Sequence, residues 1–196
     1  MRTTAGRPKS FDEDGVLALA MNYFWEHGYE NSTLDDLLVT MGIKKSSFYH
    51  TFKSKEELFS RCLDFYRKET EKIMMELKQQ IGPKNTMLAL TDMTLRELKE
   101  TGSVKGCLIM NSGKECYKRY TDLSHQIALE FNFMVEMFNG FVKEAQDKGE
   151  ITSKKDAKII AGRYMSALNG MIVGIQAGAS QELIDDLSDN LRELLE

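Results

Sequence analysis

Residues 42–55 read Gly-Ile-Lys-Lys-Ser-Ser-Phe-Tyr-His-Thr-Phe-Lys-Ser-Lys. Four lysines and no acid stand there among small hydroxyls and three aromatic rings. Upstream the balance reverses: residues 12–36 hold seven acids and no Lys or Arg, while residues 1–10 hold Arg2, Arg7 and Lys9 with no acid. The whole chain carries a net charge of -4. The basic islands are therefore local features of an acidic molecule, which argues against nucleic-acid binding over the entire surface. Each island is either a contact surface for a polyanion or simply a solvated face.

The pattern around this stretch is helical. Apolar residues recur at three- and four-residue spacing almost throughout, and no alternating strand pattern stands out. A first helix is expected to open at Ser10 or Asp12, with Ser10 and Glu13 as a capping box. Val16, Leu17, Ala20, Met21 and Phe24 form its buried stripe, and Gly28 stops it. Thr33 caps a second, short helix, with Asp36 three residues on, and Gly42 ends it. The quoted stretch then supplies a third helix over about 45–51. Ser54-Lys-Glu-Glu57 opens a long fourth helix, marked by Leu58, Cys62, Phe65, Ile73 and Leu77 and closed by Gly82-Pro83.

Further helices are expected near 84–101, 105–116, 121–148, 154–178 and 181–195, with Ser153 and Asp156 capping the eighth. The fold class is all-α, with about nine helices. Residues 1–53 form a helix-turn-helix domain with a basic arm, and residues 54–196 a larger helical domain.

Two short helices joined at a glycine and held against a first helix make a helix-turn-helix, whose second helix enters the DNA major groove N-terminus first. Lys45, Ser46 and Ser47 occupy that first turn, where Lys suits guanine acceptors and Ser either donates or accepts. Tyr49 and His50 follow one turn on, while Phe48 and Phe52, four apart, anchor the opposite face. The segment resembles the N-terminal domain of TetR-type transcriptional regulators. The resemblance rests on Thr33, Gly42-Ile43, Phe48-Tyr49-His50-Thr51-Phe52, Ser54-Lys55-Glu56-Glu57-Leu58 and the run Phe24-Trp25-Glu26-His27-Gly28-Tyr29.

It implies that Lys45, Ser46, Ser47, Tyr49 and His50 contact the groove, and that Thr33, Thr51 and Lys55 contact backbone phosphate. Lys44 stands where the family often has a Ser or Thr cap, and is a further phosphate candidate. Asp35 and Asp36 weaken attraction near Thr33. Gly6-Arg7-Pro8-Lys9 resembles the basic arm of some members. The resemblance implies a double-stranded DNA operator as partner, a homodimer, and a small-molecule ligand bound by the C-terminal helices.

The remaining sequence offers its own hints of both. Gly162, Gly170 and Gly174 interrupt an apolar helix, where each costs about 1 kcal/mol relative to alanine, so close approach of another helix is expected. With Met165, Leu187 and Leu191 they are the candidate dimer interface, packed as a two-fold four-helix bundle; an intramolecular contact is the alternative. Twelve methionines are many for 196 residues, and thioethers adapt to irregular apolar ligands. The candidate pocket residues are Phe65, Met87, Cys107, Met110, Phe131, Met134 and Phe138. Gly106-Cys107-Leu108 resembles the start of the sixth helix in a TetR subgroup with members that respond to electrophiles or oxidants. Cys107, beside Lys105, is either a reactive thiol or a small buried hydrophobe.

Other classes fit poorly. No glycine-rich phosphate loop follows a strand, and His27, His50 and His125 are scattered, so neither an enzyme nor a metal site is expected, and no cofactor. Three cysteines make no disulfide framework, no apolar run spans a membrane, and a cytoplasmic location is expected. The expected function is a ligand-responsive DNA-binding repressor, released from a palindromic operator by a small apolar or reactive molecule. An activator, or a helical interaction module that does not bind DNA, is the alternative.

Overall fold

The computed structural model describes residues 12–196, so Ser10 and the Gly6–Lys9 arm lie outside the described residues. Among those described, nine α-helices and no strand occur: α1 (Glu13–His27), α2 (Leu34–Met41), α3 (Lys45–Thr51), α4 (Lys55–Ile81), α5 (Pro83–Thr101), α6 (Leu108–Cys116), α7 (Thr121–Asp147), α8 (Ala157–Gln176) and α9 (Gln181–Glu193). The chain divides into two compact units between Tyr66 and Arg67, inside α4. The break falls there, rather than at Ser54, because Leu58, Phe59, Cys62 and Leu63 of α4 are all fully buried in the first unit.

That first unit is built on aromatic residues. Phe24, Phe48, Phe52 and Phe59 are almost completely buried, and burial of each is worth about 1.5–3 kcal/mol. Phe24 meets Phe59 edge-on with centroids 4.7 Å apart, and Tyr29 lies 4.9 Å from the same ring. α2 begins where the Thr33 hydroxyl accepts from the Asp36 N–H, at 3.2 Å. It ends at Gly42, whose φ of +64° is the left-handed conformation a glycine adopts without strain. The Gly42 N–H bonds the Val39 carbonyl and the Ile43 N–H the Leu38 carbonyl, a Schellman ending that aims the chain into α3.

Arg61 joins three elements of this unit. It pairs with Glu13 of α1, donates to the Thr51 carbonyl at 3.4 Å, and lies 4.9 Å from the Phe52 ring centroid.

The second unit has its own core, in which α7 and α8 pack together, with α5, α6 and α9 around them. Phe138, Phe141 and Val142 of α7 meet Ala161, Tyr164 and Met165 of α8. The buried Tyr164 hydroxyl donates to the Met87 carbonyl and lies 3.1 Å from Thr91 Oγ1, tying α8 to α5. Arg67 pairs with the mostly buried Glu130 at 3.0 Å and lies over the Phe133 ring, fixing the C-terminal part of α4 to α7.

Several expected details are corrected. α8 starts at Ala157, capped by Asp156, whose carboxylate accepts from Lys158 N–H at 2.8 Å, instead of at 154 with a Ser153 cap. α6 starts at Leu108, not 105, because Gly106 holds φ +70° and Cys107 is extended. A Cβ at Gly106 would lie 2.9 Å from Ile172 Cγ2, so that glycine serves close packing as well. Ile73, one of the residues that mark α4 in the sequence, is 47% exposed.

Candidate nucleic-acid interface and C-terminal cavity

α3 is amphipathic in an unusual sense: one side is aromatic and buried, the other cationic and hydroxylic. Phe48, and Phe52 just after the helix, are 0% exposed. Lys44, Lys45, Ser46, Tyr49 and His50 are exposed, with Ser47 and Thr51 half-buried. The N-cap residue is Lys44, whose side chain makes no capping bond, and the first turn contains no acid. Neither Lys44 nor Lys45 has a carboxylate partner among the described residues. Tyr49 is half exposed, its ring edge-on to Phe48 at 5.3 Å. The helix thus presents unpaired charge, hydroxyl and imidazole on a rigid base, the chemistry suited to phosphates and base edges.

Two of the expected phosphate contacts are otherwise engaged. The Lys55 ammonium donates to the carbonyls of Tyr29 and Ser32, at 2.9 and 3.1 Å, and lies 4.3 Å from the Tyr29 ring centroid. It closes the loop between α1 and α2. The Thr33 hydroxyl donates to Asp36 Oδ2 at 2.5 Å while capping α2, which spends its proton inside the protein. Thr51 offers a half-buried side chain, and its carbonyl accepts from Arg61.

A cavity of about 610 Å³ lies between α6 and α7. From α6 it is lined by Ile109, Met110, Gly113 and Lys114, with Tyr117 just after the helix; from α7 by Ser124, Ile127, Ala128 and Phe131. Each set follows helical spacing, so two stripes face each other across the space. At Gly113 the two helices come within ordinary contact: a Cβ there would sit 3.7 Å from Ile127 Cγ2. Of the residues selected from sequence, Met110 and Phe131 line this cavity. Met87 and Phe138 are buried in the hydrophobic core instead, and Met134 packs against it. Cys107 is the half-buried N-cap of α6, and Phe65 is half-buried at the end of the first unit. Methionine content pointed to the core face of these helices; the facing stripes of α6 and α7 were the signal that locates the cavity.

Comparison with known proteins adds the lineage. Residues 16–62 match the family of bacterial regulatory proteins, tetR family, and residues 83–191 match the tetracyclin repressor-like C-terminal domain. The second match alone covers more than half of the chain. The chain belongs to the TetR family. This TetR-family chain is a DNA-binding transcriptional regulator. Its relatives include the HTH-type transcriptional repressor ComR of Escherichia coli (strain K12), 28% identical over 188 residues, covering 93% of this chain and 88% of ComR. Another is the transcriptional regulator AcuR of Cereibacter sphaeroides, 22% identical over 175 residues, covering 86% and 80%. Among solved structures, reduced E. coli NemR superposes with a TM-score of 0.81 at 18% identity, covering 93% of this chain and 96% of NemR. A cysteine mutant of CifR complexed with 26bp double-strand operator DNA gives 0.79 at 22%, covering 97% and 100%. At these identities the structural likeness concerns the fold.

The candidate dimer residues of this TetR-family chain separate into two groups. Met165 and Leu191 are buried in their own subunit's core, at 3% and 0% exposure, and have no surface to offer a partner. Helical phase explains it: Met165 shares a face with Ala161 and Ile172, and Leu191 with Ile184 and Ser188. Gly174 approaches α9, its Cβ position 3.9 Å from Leu187 Cδ1, which is the intramolecular alternative. Gly162 and Gly170 have nothing within 4 Å of a built Cβ. They lie on an outward stripe of α8 with Ile159 and Val173, 51% and 44% exposed, a pair the sequence reading missed. Among the described residues, no helix is long and apolar enough to cross a membrane.

Proposed function

We propose that this TetR-family regulator acts as a homodimeric repressor that binds a palindromic operator through two copies of α3 and is released by a small molecule. The observation that carries the reading is the exposed, unpaired Lys44–Lys45 pair at the head of a helix whose opposite face is fixed by Phe48 and Phe52. In this reading Lys45, Ser46, Ser47, Tyr49 and His50 meet the groove, and Lys44 meets phosphate. Thr51 stands at the edge of the contact. Thr33 and Lys55 hold the loop and helix ends that position it. CifR, a structural neighbour, is described in complex with operator DNA, which supports the same use here.

The outward stripe of Ile159, Gly162, Gly170 and Val173, with Leu183 of α9 48% exposed, supports pairing of α8 and α9 with a second copy. A two-fold pair would set the two α3 helices about one DNA turn (roughly 34 Å) apart. The α6–α7 cavity is the proposed ligand site. A ligand acts there only through different affinity for the DNA-binding and released states, typically a coupling of about 1–3 kcal/mol.

A mobility shift with the DNA upstream of the protein's own coding region tests operator binding. A retarded complex containing two subunits per duplex is expected. A folded protein that retards neither this DNA nor duplexes enriched from a random pool contradicts the reading.

A further inference from the structure

The α6–α7 cavity has a chemical polarity that narrows its ligand class. Its walls are hydrocarbon and aromatic: Ile109, Met110, Ile127, Ala128 and Phe131. Of the nine lining residues one is charged, Lys114, and none is acidic. Lys114 is exposed at the rim and has no carboxylate partner among the described residues. A second cation adjoins the lining: the Lys118 ammonium lies 5.3 Å from the centroid of the Tyr117 ring, which itself lines the cavity. The remaining polar group is already committed, since Ser124 Oγ donates to the Cys116 carbonyl at 2.8 Å. It retains lone pairs but no proton for a ligand. Among the lining residues the side-chain donors are therefore the Lys114 ammonium and the Tyr117 hydroxyl.

We propose that this cavity takes an amphipathic anion: an apolar body of roughly ten carbons between α6 and α7, with a carboxylate or similar head on Lys114. The inference rests on the reading of the cavity as the ligand site and specifies what that site selects. About 610 Å³ falls within the usual range of small-molecule pockets, about 300–1,000 Å³. An apolar wall rewards a hydrocarbon chain by about 0.8 kcal/mol per buried methylene. The unpaired ammonium favours an anionic head over a neutral or cationic one, because an anion adds charge attraction to the hydrogen bond that a neutral oxygen also accepts. An electroneutral head gains a hydrogen bond from Lys114 without the charge attraction, and a cationic head is repelled by it.

The test is calorimetric titration of the full chain with decanoate, 1-decanol and decyltrimethylammonium, on wild type, Lys114→Gln and Ala128→Phe. Lys114 and Ala128 are both exposed, so both variants are expected to fold, which circular dichroism checks. Decanoate is expected to bind at least about fivefold tighter than 1-decanol, and the ammonium probe weakest. Lys114→Gln should erase the preference for decanoate while leaving 1-decanol nearly unchanged, and Ala128→Phe should weaken all three by narrowing the space. Equal binding of the three probes, no binding of any, a preference that survives Lys114→Gln, or binding unaffected by Ala128→Phe overturns the proposal. Operator affinity is measured separately: decanoate that binds as expected without changing it leaves this ligand class standing and removes release by ligand.

Discussion

The Lys55 ammonium donates to the Tyr29 carbonyl over 2.9 Å, bridging the N-terminus of α4 to the loop that leads into α2. With its second bond, to the Ser32 carbonyl at 3.1 Å, it holds both ends of that loop. Lys55→Met is expected to lower folding stability by about 1–3 kcal/mol through the loss of its two charge-assisted bonds to these carbonyls. The salt dependence of operator binding should stay close to that of wild type. Urea denaturation and binding at several salt concentrations measure the two effects. A loss of about one unit of salt slope with stability unchanged would instead make Lys55 a phosphate ligand.

Lys44 and Lys45 differ from Lys55 in having no partner among the described residues. Lys44→Ala and Lys45→Ala should each leave stability within about 0.5 kcal/mol of wild type, as exposed substitutions do. A lysine on phosphate contributes about 0.9 to the slope of log affinity against log salt, and that amount should disappear with Lys44→Ala. Fluorescence anisotropy of a labelled operator measures the slope. A slope identical to wild type in both variants contradicts their placement at DNA.

Tyr49 stands between core and solvent, half exposed and edge-on to Phe48. Tyr49→Ala should weaken operator binding by about 1–3 kcal/mol, with a smaller cost to folding. Tyr49→Phe keeps the ring contact and isolates the hydroxyl. Binding by Tyr49→Ala equal to wild type would remove Tyr49 from the interface.

The second unit carries an alkaline signature. Burial pushes the Tyr164 hydroxyl up from the usual 10.0 to about 12. The unfolded chain therefore releases this proton first. The stability it contributes is complete below about pH 10 and is lost as pH rises from there to about 12. Tyr164→Phe should lower stability at neutral pH, through the lost bonds to Met87 and Thr91, by about 1–2 kcal/mol. It should also flatten the decline between pH 10 and 12. Thermal melts of both proteins across that window check it; parallel declines would contradict the assignment.

The third helix was legible in sequence to the residue, because its signals are local. Gly42 terminates α2, Phe48 and Phe52 set the buried face, and Ser54 caps α4 by accepting from Glu57 N–H at 3.0 Å. What stayed hidden needed contacts distant in sequence. Nothing near Lys55 announces that its ammonium turns back to Tyr29 and Ser32. The expected start of α6 lies too early because Lys105-Gly106-Cys107 reads as helical, whereas Gly106 takes a left-handed conformation at a position packed against Ile172. At the cavity, Met110 and Phe131 were found by residue type. Lys114, Tyr117 and Ala128 were missed because each is unremarkable until α6 and α7 are set face to face. Met165 and Leu191 were assigned to a dimer surface because apolar spacing alone does not say which side of a helix the subunit's own core occupies.

The central claim is that two α3 helices enter successive turns of one duplex. Hydroxyl-radical footprinting on a site enriched from random duplexes tests it most directly. Two protected patches related by two-fold symmetry and separated by about one helical turn are expected, both lost together when Lys44 and Lys45 are replaced by alanine. One patch without symmetry, or a footprint indifferent to those replacements in a folded protein, would contradict the account.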